Sequence, residues 1–247
     1  MTTLSKLQNR KHNFINAKTI HKIARFTISI LKKLKDRQEA GYLIVEKLKN
    51  ENIIKGEKNN VIVLSVPRGG IILGKIISKK LGYDFGLIIP RKLTTPNNHE
   101  LAFGAIIDRS NFIQNNDIIE RLNITEKQIE EEKEIQLKEI ENRRKKYNIL
   151  DKKCNDKIIV LVDDGVATGS TILISLKKIK QQEPKEIILC APVIPDTSYD
   201  YLKEYCDKIV YLIKEQDFLF GSVGQFYDDF KQIEDEEIEK LIREFRL

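Results

Sequence analysis

Short apolar runs alternate with amphipathic stretches along most of the chain. The runs at residues 61–66, 85–90 and 157–162 lack the polar alternation of a half-exposed strand. Such runs are typical of strands that are buried on both faces of a parallel sheet. We therefore predict buried strands at these three places. Further strands are predicted at 187–193 and 208–213.

Between these runs, apolar residues recur at the three- and four-residue spacing of a helix face. This spacing predicts helices at 20–34, 36–49, 71–81, 170–181 and 197–205, and an acidic helix ends the chain. Strands that alternate with helices indicate an α/β fold, in which helices flank a mostly parallel twisted sheet.

Two stretches break this alternation. Residues 102–108 and 111–114 have the pattern of a hairpin, and residues 91–98 are predicted to form a polar loop. A long helix is predicted at 125–147, because Thr125 and Gln128 match a capping box and neither Gly nor Pro follows up to Tyr147. Its mostly charged composition predicts a solvated arm or lid rather than a core helix.

Composition narrows the class of protein. Hydrophobic residues make up 41% of the chain and charged residues 32%, as in globular proteins. We see no secretory signal or membrane span and expect a cytoplasmic protein. Its three cysteines form no CxxC pair and indicate neither a disulfide framework nor a zinc site.

Residues 1–50 hold 12 Lys or Arg against three Asp or Glu, whereas the remainder holds 31 against 34. Because the body is mildly acidic, a nucleic-acid partner is not expected.

The candidate chemistry lies after the third strand, where Asp163 and Asp164 precede a turn rich in Gly, Thr and Ser. Taken alone, the aspartates could meet solvent or bind magnesium, and the hydroxyls of the turn could cap a helix. Together, the aspartates and the turn would place a carboxylate pair beside a helix N-terminus, and helix N-termini bind anions. That pairing suits a ribose diol next to a phosphate. The chain contains neither GxxxxGK[ST] nor GxGxxG, the usual nucleotide-binding motifs.

The segment 160–171 closely resembles the signature of the type I phosphoribosyltransferases. The likeness extends to 67–70, 91–102 and 223–230, in the pattern of a group of bacterial and archaeal proteins known as predicted phosphoribosyltransferases. It covers roughly 34–241. The resemblance implies a phosphoribosyltransferase domain at 34–247, with a small hood that includes the tail 215–247. Residues 1–33 form a basic N-terminal extension outside it.

The resemblance also implies roles for individual residues. Asp163 and Asp164 would hold the ribose hydroxyls and, with Arg91 and Lys92, form the catalytic set. The 5-phosphate would lie on Ala167, Thr168, Gly169, Ser170 and Thr171. The pyrophosphate would lie on Arg68, Gly69, Gly70, Arg91 and Lys92. In relatives the 68–70 loop often has a cis peptide, and residues 93–100 correspond to a mobile loop. Mg²⁺ is the implied cofactor, held mainly through the pyrophosphate of the sugar, with Asp163 and Asp164 as candidate ligands.

The implied activity is transfer of phosphoribosyl from 5-phosphoribosyl-1-pyrophosphate to a nucleobase-like or amine acceptor, by an enzyme expected to be a homo-oligomer. The alternative is a regulatory protein that senses the same sugar without catalysis. Ala167 stands where hypoxanthine–guanine enzymes carry an acid, which counts against a 6-oxopurine acceptor. Phe220, Phe226, Tyr227 and Phe230 could form an aromatic face for a base or, as we favour, belong to the core. His99 and Glu100 are candidate acid or base groups, although polar loop residues are more often simply solvated.

Overall fold

Residues 33–96 and 98–243 are described by a computed structural model. The helix predicted from residue 20, and nearly all of the predicted basic extension, lie outside these residues. The helices are α1 (Arg37–Asn50), α2 (Gly70–Leu81), α3 (Asn116–Arg121), α4 (Glu126–Lys146), α5 (Ser170–Lys180), α6 (Asp196–Leu202) and α7 (Asp235–Arg243). The strands are β1 (Val61–Ser65), β2 (Asp84–Leu87), β3 (Arg91–Thr95), β4 (Asn98–Asp108), β5 (Asn111–Gln114), β6 (Ile158–Val162), β7 (Glu186–Cys190), β8 (Val193–Pro195), β9 (Lys208–Val210) and β10 (Ile213–Glu215).

The central sheet contains five parallel strands in the order β2-β1-β6-β7-β9. The predicted α/β class and mostly parallel sheet are therefore confirmed. Strands β1 and β6 lie side by side near its middle and are buried along their whole length. Their carboxyl ends lie together, since Ser65 is paired with Val162.

The side chains of β1 and β6 divide between the two faces of this sheet. Val61 and Val63 pack with Val160 beneath α1 and α2. Ile62 and Leu64 pack on the opposite face with Ile172 and other residues of α5. Because successive residues of a strand point to opposite faces, a sheet covered on both sides needs apolar residues at every position. The unbroken apolar runs are explained by this double burial.

Local signals place the helix ends close to the predicted positions. The side chain of Asp36 caps α1 by accepting a hydrogen bond from Glu39 N at 2.8 Å. Helix α2 ends at Gly82, whose φ of 72° is in the left-handed region that glycine adopts without a Cβ penalty. Thr125 and Gln128 form the predicted capping box at the start of α4.

The polar loop predicted at 91–98 is instead a β-hairpin. Strand β3 pairs antiparallel with β4, which pairs in turn with β5 in a three-stranded sheet. Residues 93–100, implied to be a mobile loop, lie mostly in these strands. Leu93 and Thr95 are buried while Lys92 is exposed, so β3 has the alternation of a strand with one face covered. A single large apolar residue was too little to reveal it.

Two predicted strands are each split in the structure. The run 187–193 forms β7 and β8, and the run 208–213 forms β9 and the start of β10. Strands β8 and β10 pair with each other outside the central sheet. Pro192 lies at the first break and has no N–H to continue a ladder, while its carbonyl accepts from Leu212 N and Ile213 N.

Helix α4 has the predicted length, and one of its faces is covered rather than solvated. Ile129, Gln136 and Ile140 are buried. The two isoleucines join Leu93 and Phe103 of the hairpin sheet in one apolar cluster. Three buried side chains in a 21-residue helix are easily overlooked among its charges. Across residues 33–96 and 98–243, no helix is long and apolar enough to cross a membrane.

Candidate functional site

The site is built where β1 and β6 end, because the segments that follow these strands pack directly on each other. Val66 N donates to Val162 O at 2.9 Å, which carries the pairing one residue beyond β1. A Cβ on Gly70 would lie 2.5 Å from Val162 O, and one on Gly69 would lie 1.7 Å from Asp164 Oδ2. The two glycines therefore allow the 67–70 loop to touch the aspartate pair, and the two predicted halves of the site are brought together.

The 67–70 loop contains the cis peptide that the resemblance implied, located between Pro67 and Arg68. The Arg68 side chain extends toward the C-terminal tail. Its Nη1 donates to Ile233 O at 3.0 Å, and its Nε lies 3.4 Å from Asp235 Oδ1. Asp235 also accepts from Lys146 and Tyr147 at the end of α4, and these two hydrogen bonds hold its pKa below the ordinary value.

The aspartate pair is asymmetric. Asp164 Oδ2 accepts from Arg37 Nε at 2.7 Å, with side chains only 14% and 11% exposed respectively. Asp163 Oδ1 accepts from the backbone N–H of Asp164 at 2.9 Å. Burial, followed by the adjacent charge of Asp164, raises the pKa of Asp163 well above its usual value. One carboxylate therefore has a fixed cationic partner, while its neighbour is easier to protonate.

The turn after the aspartates leads into α5. Ala167 and Thr168 are exposed, and Gly169 has a φ of 73° immediately before the helix. The first N–H groups of a helix have no partner inside it, so the start of α5 can bind an anion. Helix α6 braces this turn: Ser198 Oγ donates to Ala167 O and Tyr201 Oη to Thr168 O, both at 2.6 Å.

Arg91 and Lys92 begin β3, where adjacent side chains leave on opposite faces. Arg91 Nε donates to Gln136 Oε1 of α4 at 2.9 Å. Burial lowers the pKa of Arg91, and the nearby charges of Arg143 and Arg68 lower it further. Lys92 is exposed. The structure therefore places Arg91, but not Lys92, near Arg68 of the 67–70 loop.

Arg143 is a member of this cationic cluster that the sequence analysis did not single out. It follows Gln136 and Ile140 at the spacing of one helix face, its side chain is 14% exposed, and its Nε donates to Glu139 at 2.7 Å. That spacing was the available signal, but the charge of the helix obscured it. Carboxylates lie among these arginines and offset part of their charge: Glu139 pairs with Arg143, Asp235 pairs with Arg68, and Glu132 acts on Arg91.

The tail aromatics belong to the core, as we favoured. Phe226 and Tyr227 are each 3% exposed and pack in the same cluster as Leu34. Tyr227 Oη donates to Asp164 O at 2.6 Å, and burial raises the pKa of this phenol. Phe230 lies beneath the guanidinium of Arg37, 3.8 Å from ring centroid to Cζ. Arg37 carried no recognisable signal in the sequence.

The remaining candidates contribute less to this site. Glu100 is exposed on β4, and the side chain of His99 lies outside the described residues. Asp228 and Asp229 use their backbone N–H groups to bind Leu34 O and Lys35 O, which anchors the tail. Within the described part of the chain, no group of three or more His, Cys, Asp or Glu side chains could hold a metal ion.

Comparison with known proteins gives a consistent result. The family model described as "Phosphoribosyl transferase domain" matches residues 32–229. Two proteins provisionally named phosphoribosyl transferases, from two strains of Mycobacterium tuberculosis, are each 29% identical over 210 residues. These matches cover 84% of the chain but 46% of each relative, so the chain spans about half their length. The crystal structure of TT1426 from Thermus thermophilus superposes with a TM-score of 0.67 and 27% identity, covering 86% of this chain and 99% of that one.

Proposed function

This chain belongs to the phosphoribosyl transferase domain family, and from that premise we propose that it transfers phosphoribosyl from 5-phosphoribosyl-1-pyrophosphate to an acceptor nitrogen. The observation that carries the proposal is the contact between the 67–70 loop and the aspartate pair, at the start of α5. A Cβ on Gly69 would lie 1.7 Å from the Asp164 carboxylate. Groups suited to pyrophosphate, ribose hydroxyls and a phosphate thus lie in immediate succession.

In this proposal, each part of the donor meets a different segment. Carboxylate oxygens of Asp163 and Asp164 accept hydrogen bonds from the ribose hydroxyls. The 5-phosphate lies against the exposed turn and the first N–H groups of α5, at residues 167–171. The pyrophosphate lies against residues 68–70, with Arg91 as its partly buried cation, whereas Lys92 leaves β3 on the opposite face. Arg143 adds positive charge to the side of Arg91.

Mg²⁺ fits this site as a companion of the donor. Carboxylate and phosphate oxygens are the ligands that Mg²⁺ prefers, and it usually keeps several waters beside one or two carboxylates. Asp163 and Asp164 supply such oxygens, and the pyrophosphate would supply the others. When bound, Mg²⁺ neutralises charge on the departing pyrophosphate.

The proposed transfer forms a bond between the acceptor nitrogen and the anomeric carbon and breaks the bond from that carbon to the pyrophosphate oxygen. The pyrophosphate leaves with the electron pair, and the acceptor gives a proton to water. Positive charge develops on the ribose ring during the exchange. The aspartate pair lies beside that charge, while the arginines face the leaving group, so the protein acts through position and electrostatics.

We propose a nucleobase-like or amine acceptor other than a 6-oxopurine. Ala167 lies exposed at the turn beside the aspartates, at the position where the hypoxanthine–guanine enzymes of the resemblance carry an acid. A methyl group there cannot accept or donate a hydrogen bond to a purine ring nitrogen.

Calorimetric titration with Mg²⁺ and 5-phosphoribosyl-1-pyrophosphate tests donor binding. We expect binding by the wild-type chain and none by the double variant Asp163→Asn, Asp164→Asn. Asp200→Asn is the matched control, since that exposed aspartate of α6 pairs with Lys203, just after the end of the helix. Pyrophosphate release is then measured across a panel of bases and amines. A wild-type chain that does not bind the sugar would contradict the proposal. Binding without release on any acceptor would contradict transfer and favour a sensor.

A further inference from the structure

The C-terminal tail segment, residues 226–233, holds an arginine on each side of the donor site. Lys231 O accepts from Arg37 Nη1 at 2.8 Å, and Ile233 O accepts from Arg68 Nη1 at 3.0 Å. Arg37 contacts the aspartate pair, and Arg68 belongs to the loop proposed to bind pyrophosphate. Two carbonyls that are two residues apart therefore anchor a cation for each half of the donor.

The tail segment is itself firmly attached to the beginning of the domain. Leu34 N donates to Phe226 O, and Asp228 N donates back to Leu34 O, both at 2.8 Å. Asp229 N donates to Lys35 O at 2.9 Å. These backbone bonds, with the burial of Phe226 and Tyr227, fix the tail segment only two residues before Arg37. The arginine therefore leaves α1 toward a rigid neighbour.

Arg37 is constrained on every side. Its Nε donates to Asp164 Oδ2 at 2.7 Å, its Nη1 bonds Lys231 O, and its Cζ lies 3.8 Å from the centroid of the Phe230 ring. A planar guanidinium can bridge two acceptors while it stacks on a ring, which a lysine ammonium cannot do. An ionised carboxylate accepts about four hydrogen bonds. Arg37 uses one of them and leaves Asp164 able to bind a hydroxyl.

We propose that Arg37 is a positioning residue of the donor site, which holds the carboxylate of Asp164 in the orientation that receives the ribose hydroxyls, and which the tail segment holds in turn. The inference rests on the proposed function, since it presumes that the aspartate pair binds the sugar. It assigns a donor-site role to residues at both ends of the domain, far from the motif in the sequence.

The test is calorimetric titration of the full chain with Mg²⁺ and 5-phosphoribosyl-1-pyrophosphate at neutral pH. For Arg37→Met we expect donor affinity to fall by about 10- to 150-fold, the range for a hydrogen bond to a charged group. Arg37→Lys should recover part of the affinity, because an ammonium can still bond Asp164 but cannot also bridge to Lys231 O while it stacks on Phe230. Arg109→Met, which removes an exposed ion pair with Glu134, is the control expected to match the wild type.

Phe230→Leu provides a second route with little risk to folding, since it keeps both charges and removes the ring under Arg37. The loss of a cation–π contact predicts donor affinity lower by about 3- to 10-fold. Wild-type affinity in both Arg37→Met and Phe230→Leu would overturn the inference. So would equal weakening in Arg37→Met and Arg37→Lys, because a retained hydrogen bond to Asp164 would then contribute nothing to donor binding. A wild-type chain that fails to bind the sugar would overturn the proposed function, and this inference with it.

Discussion

Replacing Gly69 with alanine tests the close contact on which the proposed donor site depends. The added Cβ would lie 1.7 Å from Asp164 Oδ2 and 2.1 Å from its Cγ, whereas real Cβ atoms essentially never come within 3.0 Å of a heavy atom elsewhere in the chain. The carboxylate must therefore retreat by more than an ångström, or the loop must move away. Asp164 cannot retreat freely, because Arg37 holds the same oxygen at 2.7 Å in a nearly buried pair.

The expected cost follows from that hydrogen bond. Losing a bond to a charged group costs about 1.5–3 kcal/mol, which corresponds to about 10- to 150-fold in donor affinity if Asp164 must be in place to bind ribose. Calorimetry with Mg²⁺ and 5-phosphoribosyl-1-pyrophosphate measures this loss, and circular dichroism checks the fold. The matched control is Gly221→Ala, where the nearest atom is the flexible end of Gln225 at 2.9 Å. Wild-type affinity in Gly69→Ala would refute the reasoning, since the loop would then not need to touch Asp164.

Three further results are expected. Ile140→Ala, at a residue that is 6% exposed, should lower the free energy of unfolding by about 2–5 kcal/mol. Ile135→Ala on the same helix, at a residue that is 58% exposed, should cost far less. Equal effects in denaturant titrations would show that α4 is solvated on both faces. Tyr201→Phe removes the hydrogen bond to Thr168 O and should weaken sugar binding by about 2- to 10-fold, as measured by calorimetry. Unchanged affinity would mean that this hydrogen bond does not position the turn. Asp235→Asn should lower Tm at neutral pH, because the pKa of Asp235 is depressed and its contribution to stability is fully present above the ordinary value of 3.8. The difference in Tm from wild type should vanish as the pH falls through the depressed pKa. A difference that persists in acid would contradict the assignment.

The parts of the fold that could be predicted are those where one local rule decides. Buried parallel strands must be apolar at every position, so β1 and β6 stood out as unbroken runs. The capping box of α4 and the glycine after α2 marked helix ends through backbone hydrogen bonding alone. Strand β3 did not stand out in this way, because burial of Leu93 depends on a helix more than thirty residues later in the chain.

The sequence alone determined that Asp163, Asp164 and the turn after them are the centre of the candidate site, since these groups are contiguous and their proposed chemistry follows from residue type and spacing. Only the tertiary structure decided which charges surround them. Arg37 reaches Asp164 and the tail segment from a distant part of the chain, and the charge of Arg143 acts on Arg91 from another. No local sequence pattern predicts these contacts, because contacts between distant segments depend on how whole helices and strands pack. A single arginine also looks the same in the sequence whether it meets solvent or a buried carboxylate.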